Sequence, residues 1–115
     1  MKKSTLPLIL FAIVVSPPAF SVSDSQSQSI LRLGELNGVA LKCQYLKQAR
    51  HIKLSLAQSL PKLRGLGEMY EEETNRSFLA FIKSNKPCPG EATIEDMIEK
   101  AIANMHHHFQ QPNQK

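Results

Sequence analysis

The chain of 115 residues has room for one domain at most, and with 42% hydrophobic and 21% charged residues it has the composition of a globular protein. Two cysteines are too few for a disulfide-dense mini-scaffold or for a cysteine-rich metal fold. The formal charge is +4, but without the leader lysines Lys2 and Lys3 twelve cations stand against ten anions, a net charge of +2. Such a small excess is not typical of nucleic-acid-binding proteins, and we expect no nucleic-acid partner.

The N-terminal segment has the three-part plan of a secretory signal peptide. Two lysines precede an apolar run at residues 6–15, and Ala19 and Ser21 place small residues at the −3 and −1 positions of a cleavage site. We expect cleavage between Ser21 and Val22, with cleavage after Ser23 as the second choice. An uncleaved anchor is the weaker alternative, because the apolar run covers only about half of a ~30 Å hydrocarbon core. With no other membrane span, the mature chain is expected in the periplasm or outside the cell.

Cys43 and Cys88 are the only cysteines in the sequence, and an oxidising compartment favours a disulfide between them. The bridge would close a loop of about 46 residues and stabilise the fold by ~4 kcal/mol in the chain-entropy model. Two buried thiols are the alternative that the residues leave open. A redox-active pair is less favoured, because the two cysteines are not spaced as Cys-x-x-Cys.

The apolar periodicity after the leader is helical. A flexible stretch rich in Ser and Gln at residues 22–28 is followed by apolar residues at three- and four-residue steps, which predicts a helix from a cap at Ser29 to about Gln48. Apolar residues on two sides of this helix indicate that it packs between two neighbours. Gly34 and Gly38 reduce helix propensity, and they mark either a close approach of another backbone or a local break.

The segment before Pro61 fits a short strand or a helix, and a helix is favoured because the sequence offers no second strand for pairing. Pro61 then either breaks or kinks the helical stretch. The next helix is predicted to end near residues 84–85, and the last to start at a Thr93 cap and to run to Phe109. The prediction is an all-α fold, a small helical bundle of three to four helices with one disulfide. Its parts are a signal peptide at 1–21, a flexible mature N-terminus at 22–28, a helical domain at 29–109 and a polar tail at 110–115.

The sequence offers little catalytic chemistry, and we expect neither an enzyme nor a cofactor. Residues 64–68 contain two glycines but lack the lysine and the preceding strand of a phosphate-binding loop. His106, His107 and His108 are weak metal candidates, because consecutive side chains on a helix point about 100° apart. A solvent-exposed last helical turn is the favoured interpretation of these histidines.

A surface for another protein is the remaining candidate site. No acidic residue occurs between Glu35 and Glu68, so the basic residues in between form a block, and an acidic patch follows at residues 68–73. These charges form either solvated, mutually complementary helix faces or a docking surface for an acidic partner. Met69 and Leu79 fall off the main apolar stripe and are either buried against a neighbouring helix or exposed as a patch. The candidate partner-surface residues are Lys42, Lys47, Arg50, Lys53, Met69, Glu71, Glu72 and Leu79.

The sequences GELNGVALKC at 34–43, GEMYE at 67–71, TNRSFL at 74–79 and the pair at 88–89 stand out together with the signal peptide. In this combination the chain resembles small exported proteins encoded among conjugative-plasmid transfer genes, the KikA protein family. The likeness covers most of the mature chain, from about Leu33 to Cys88. It implies a periplasmic accessory of plasmid transfer, or of its host-range and killing effects, and it implies no active-site residue.

The sequence therefore predicts an exported protein that acts by binding another envelope or secretion-system protein, as an accessory of a conjugative transfer or type IV secretion apparatus. One alternative is an envelope binder that neutralises an effector or a hydrolase. Another is a small metal carrier that uses the histidine turn. The residues do not define an oligomeric state.

Overall fold

The computed structural model describes residues 22–110 and the single residues Ile9 and Ala12. Apart from these two residues, the predicted signal peptide lies outside the described part of the chain, as do Ser21 at its cleavage site and residues 111–115. Residues 22–110 form four α-helices and no strand, and one disulfide links them. The predicted all-α bundle with a single bridge is confirmed. The helices are α1 (Asp24–Lys42), α2 (Leu46–Ser59), α3 (Arg64–Ser84) and α4 (Glu91–Phe109).

α1 begins earlier than the sequence pattern predicts, so the stretch at 22–28 that was expected to be flexible is helical from its third residue onwards. The N-cap is Ser23 and not Ser29: the Ser23 Oγ accepts from the Gln26 N–H, and the Gln26 side-chain oxygen accepts from the Ser23 N–H. This capping box satisfies two of the free donors at a helix start. Ser29 is buried inside the helix, and its hydroxyl donates to the Gln26 carbonyl.

α1 ends at Lys42 and not near Gln48, because the chain turns there in a Schellman motif. Gln44 takes the left-handed conformation with a φ of 64°. The Tyr45 N–H then donates back to the Ala40 carbonyl at 2.8 Å, which satisfies a carbonyl at the helix end. Glycine usually occupies the left-handed position, so a glutamine there gives no sequence signal of a helix end.

Pro61 separates α2 from α3 and does not merely kink one long helix. Leu60 has an extended ψ of 145°, as the proline ring favours in the residue that precedes it. The segment before Pro61 is a helix, as favoured over a strand. α3 ends where the sequence predicts, because Asn85 takes the left-handed conformation at its C-cap with a φ of 55°.

α4 begins at Glu91, and its N-cap is Gly90 instead of the predicted Thr93. The helix starts as soon as the proline-bounded loop ends, since Glu91 and Ala92 are both good helix formers. The apolar residues that recur at three- and four-residue steps along α4 face the core, and among them only Met97 is half-buried. The buried members are Ile94, Ile98, Ala101, Ile102, Met105 and Phe109. Neither α4 nor any other helix within residues 22–110 is both long and apolar enough to cross a bilayer.

α1 lies at the centre of the bundle and packs against each of the other three helices. α2 and α4 contact one another and run in the same direction: Gln48 bonds Glu95 near their starts, and His51 bonds Glu99 one turn further on. α3 runs parallel to α1 and makes no close backbone contact with α2 or α4. Grooves are therefore left open on both sides of α3.

Two glycines allow α3 to approach α1 closely. A Cβ on Gly34 would lie 2.9 Å from the Tyr70 carbonyl oxygen, and a Cβ on Gly38 would lie 2.7 Å from the Phe78 backbone nitrogen. Side chains do not tolerate such distances to a neighbouring backbone, so a larger residue would force the two helices apart. Of the two alternatives that this glycine pair left open, the structure shows the close approach, and α1 is not broken at either position.

A short row of polar side chains lines the same α1–α3 contact. Asn37 Nδ2 donates to Thr74 Oγ1 at 3.2 Å, and the Thr74 hydroxyl donates to the Tyr70 carbonyl at 2.9 Å. Ser77 Oγ donates to the Glu35 carbonyl at 2.7 Å. Because buried polar groups cost free energy unless they are paired, these bonds favour one register of α3 along α1.

The Cys43–Cys88 disulfide is formed, with the two Cα atoms 5.8 Å apart, and neither cysteine is a free thiol. It joins the end of α1 to the loop before α4, as predicted. Beside it, the Tyr45 hydroxyl donates at 2.6 Å to the carbonyl of the proline that follows Cys88. At the other end of the same helix pair, Gln26 Nε2 donates to the His108 carbonyl. α4 is thus fastened to α1 near both of its ends.

Candidate functional site

An open apolar groove lies between α2 and α3, with a volume of about 680 Å³. That volume is in the range of sites that bind ligands or side chains of a partner. The groove exists because α2 ends before Pro61 and α3 does not pack back against it. Its walls are the second half of α2, the connecting turn and the first half of α3. The apolar side chains that line it are Leu56, Ala57, Leu60, Pro61, Leu63 and Leu66.

The edges of the groove carry charges of both signs. Lys53 on α2 and Lys62 and Arg64 at the turn are positive, whereas Glu68 and Glu71 on α3 are negative. All five residues are exposed. Arg64 pairs with Glu68 at 3.4 Å, and the other three make no ion pair with any residue that the structure describes. These three charges are available to a partner.

At Gly67 the backbone of the α3 wall is not covered by a side chain. Gly67 is exposed, and a Cβ placed on it would have no atom within 4 Å. Its φ is not in the left-handed region either. No contact among the described residues therefore requires a glycine at this position, although glycine costs about 1 kcal/mol of helix propensity relative to alanine.

Tyr70 lies where the groove meets the α1–α3 contact. The residue is only 4% exposed, and its hydroxyl has no hydrogen-bond partner among the described residues. Burial raises the pKa of this phenol above its ordinary value, and the nearby Glu71 carboxylate raises it further. Tyr70 is thus a neutral side chain at the inner edge of the groove at any physiological pH.

We expect Tyr70→Phe to protect the fold at high pH. Above about pH 10 the unfolded chain releases the phenolic proton while the folded chain keeps it, so native stability falls as the pH rises. Phenylalanine removes this loss, and it also removes a buried hydroxyl without a partner. Urea unfolding at pH 8 and pH 11 should show the advantage of the variant growing by about 1 kcal/mol. An advantage that is the same at both pH values would contradict the buried, neutral phenol.

The structure divides the predicted partner surface into residues of the groove and residues outside it. Lys53 and Glu71 line the groove. Burial and joint exposure were both left open for Met69 and Leu79; Met69 is partly buried against the core, so the two do not form an exposed patch together. Leu79 alone is 55% exposed, because α3 packs against α1 on the side that carries Met69. The other predicted residues are exposed but do not line the groove: Lys42, Lys47, Arg50 and Glu72.

The three histidines lie in the last turn of α4, where the sequence places them. His107 is exposed, whereas His106 and His108 are half-buried. The rings of His107 and His108 meet edge to face with their centroids 5.3 Å apart. Within the described residues, no cluster of three or more His, Cys, Asp or Glu side chains is placed to hold one metal ion.

A smaller groove of about 390 Å³ lies on the other side of α3, towards α4. Its apolar lining includes Leu36, Phe81 and Met97, and its edge carries Arg32 and Glu35. Arg32 already forms an ion pair with Glu35. The α2–α3 groove is larger and its edge charges are less fully paired, so it is the stronger candidate for a binding site.

The sequence interpretation missed the apolar walls of the α2–α3 groove. Leu63 continues the apolar spacing of Leu66 and Tyr70, which predicts burial, but it is 39% exposed and lines the groove. The available signal was the apolar stripe that continues in phase across Pro61. If the helix breaks there, the two halves of that stripe meet at a turn and neither is covered by the other.

Residues 22–110 thus define a class of protein, a disulfide-bridged bundle of four helices with an apolar groove at one turn. No protein-family model, no curated protein and no solved structure matches the chain.

Proposed function

We propose that the protein is exported to the periplasm and acts there by binding another envelope protein, as an accessory of a conjugative transfer or type IV secretion apparatus. The observation that carries the proposal is the open apolar groove between α2 and α3. An apolar surface of this kind, edged by charged residues, is typical of sites where proteins recognise a partner. The lysines and glutamates at its edge orient such a partner and speed its association.

The proposed export and the proposed role in a transfer apparatus are supported by separate observations. Disulfides form and persist in oxidising compartments, and the Cys43–Cys88 bridge holds α1 to the start of α4. The three-part N-terminal segment is the sequence pattern of an exported protein. The resemblance to the KikA protein family supports a role beside the proteins of plasmid transfer.

We expect a photo-cross-linking residue in the groove to capture the partner in living cells. p-Benzoylphenylalanine would replace Ala57, which is exposed on the α2 wall, in the full-length chain expressed in cells that carry a transfer apparatus. The matched control places the same residue at Ala103, an exposed alanine of α4 outside the groove. Irradiation should link the first variant, and not the second, to a component of the transfer or secretion apparatus.

Other outcomes would assign the protein differently. An adduct with an effector or a hydrolase would place it with envelope inhibitors, and the apparatus would be the wrong partner. Equal adducts from Ala57 and Ala103, or none from either, would contradict binding through the groove. Recovery of the uncleaved chain from the cytosol alone would contradict export.

A further inference from the structure

We propose that the partner fills the α2–α3 groove with an amphipathic α-helix. The edge of this helix that faces Lys53 and Lys62 carries acidic side chains, and the edge that faces Glu71 carries basic ones. This inference rests on the proposed binding function and adds the chemistry of the partner.

The walls of the groove repeat at helical spacing. Leu56 on α2 and Leu60 at its C-cap lie one turn apart, and Leu63 at the N-cap of α3 lies one turn before Gly67. Each wall is about two turns long, roughly 10 Å at 1.5 Å per residue. Side chains at i, i+3, i+4 and i+7 of a third helix fit between two such walls. An extended peptide would find no strand edge to pair with anywhere in residues 22–110.

Gly67 is the observation that favours a close-packed helix over a looser occupant. Inside the chain, Gly34 and Gly38 are required because the α3 backbone comes too close for any Cβ. Gly67 lies in the groove with no atom near its Cβ position. Gly65 has the same open Cβ position but lies outside the groove. At Gly67, which lines the groove, the open position leaves room for the backbone of a partner helix.

The charge distribution favours a helix with acidic residues on one edge. α4 already packs against α2 in this manner: Glu95 accepts from Gln48 at 3.1 Å, and Glu99 lies 2.7 Å from the His51 ring nitrogen. α2 therefore meets carboxylates along one of its sides within the chain. Lys53 and the turn present positive charge on the groove side of the same helix, where no helix of the chain packs.

The same charges argue against two other occupants. An anionic lipid or fatty acid paired with Lys62 would leave Glu71 facing a ligand of its own sign. A second copy of the chain lacks the required helix among its described residues. α4 exposes acidic residues but no large apolar side chain, and α2 exposes Leu46 and Leu54 but contains no acidic residue. α1 exposes only Leu41, and α3 exposes Leu79 and Ile82 in the turns that follow its acidic patch at 68–73 and not beside that patch.

The test begins by mapping the adduct formed from the Ala57 position to a peptide of the captured protein by mass spectrometry. We expect the cross-link to lie in an amphipathic helix with acidic residues along one edge. A synthetic peptide of that mapped segment then serves as the probe in fluorescence-anisotropy titrations with the protein purified from the periplasm.

Glycine variants distinguish an effect on packing against the partner from an effect on the stability of the fold. Gly67→Ala should weaken binding of the mapped peptide about tenfold, because the added methyl group occupies the space of the partner backbone. The same variant should be as stable as the parent protein or more stable, since no atom of the chain opposes its Cβ. Gly65→Ala is the matched control, because Gly65 is an exposed glycine of the same helix outside the groove. It should leave the affinity unchanged.

Charge variants test the orientation of the helix. Lys62→Glu should weaken binding several-fold, chiefly through slower association, whereas Lys83→Glu, an exposed position on α3 outside the groove, should not. A cross-link in a loop, in a strand or in a helix that turns a basic edge to Lys62 would overturn the inference and leave protein binding intact. A lipid or homodimer adduct, or a Gly67→Ala protein that binds as tightly as its parent, would also overturn it. Absence of any protein adduct at Ala57 removes the proposed function itself.

Discussion

Serine in place of Cys43 or Cys88 should lower the free energy of unfolding by about 4 kcal/mol. The bridge spans 45 positions of sequence, and its loss restores the freedom of that long loop to the unfolded chain. A domain of this size has a net stability of only about 5–10 kcal/mol, so roughly half of that stability would be lost. Urea unfolding followed by circular dichroism gives the difference directly.

The matched comparison is the double variant Cys43→Ser/Cys88→Ser. Because one bridge is removed in each case, the single variants and the double variant should be destabilised about equally, and reductant should have no effect on any of them. The native protein in reductant should approach the stability of the double variant. A native protein whose unfolding midpoint does not respond to reductant would contradict the bridge.

Alanine in place of Gly38 should lower the free energy of unfolding by about 2–3 kcal/mol. Its Cβ would lie 2.7 Å from the Phe78 backbone nitrogen and 2.7 Å from the Ser77 side chain. A backbone atom cannot move aside as the end of a flexible side chain can, so α3 must shift away from α1. That shift also strains the bond from the Ser77 hydroxyl to the Glu35 carbonyl.

Gly67→Ala is the matched control for the effect at Gly38, because both residues lie within helices and only Gly38 faces another backbone. The control should gain up to about 1 kcal/mol from the higher helix propensity of alanine. If urea unfolding shows that Gly38→Ala lowers the free energy of unfolding while Gly67→Ala raises it, the close approach of α1 and α3 is the cause of the destabilisation. A Gly38→Ala protein as stable as its parent would contradict that approach.

The fold was largely predictable, because long amphipathic stripes determine which segments are helical and which faces are buried. The stripe of α4 from Ile94 to Phe109 and the end of α3 near Asn85 both follow from the residues alone. The glycine pair at Gly34 and Gly38 indicated either a close approach or a local break, and it did not indicate which helix would come close. The sequence pattern does not reveal that partner, since tertiary packing and not spacing decides which stripes face each other.

Helix ends were less predictable, because several residues can satisfy the same terminal groups. Ser23 and Ser29 are both good caps, and the reciprocal bond with Gln26 is what favours the first. Gln44 follows the end of α1 in the left-handed conformation, which a glutamine in the sequence does not predict. The N-cap of α4 is Gly90 and not Thr93, because the extended backbone of Gly90 allows the helix to begin at the next residue.

The groove was the least predictable feature, because it exists only where α3 does not pack against α2. Local spacing correctly places apolar residues on the inner faces of α2 and α3, but it cannot show that those faces stay apart. Only two members of the predicted partner surface, Lys53 and Glu71, line the groove. Buried polar residues such as Asn37 and Gln48 escaped prediction for the same reason, since their partners lie on other helices.

The disulfide also has a topological consequence for the groove. Cys43 and Cys88 lie outside the α2–turn–α3 segment on either side, so that segment forms a covalently closed ring. Hydrolysis of a single peptide bond at residues 61–63 would open the ring without releasing a fragment. Cleavage of the exposed turn at the end of the groove by a protease therefore leaves both pieces in one molecule.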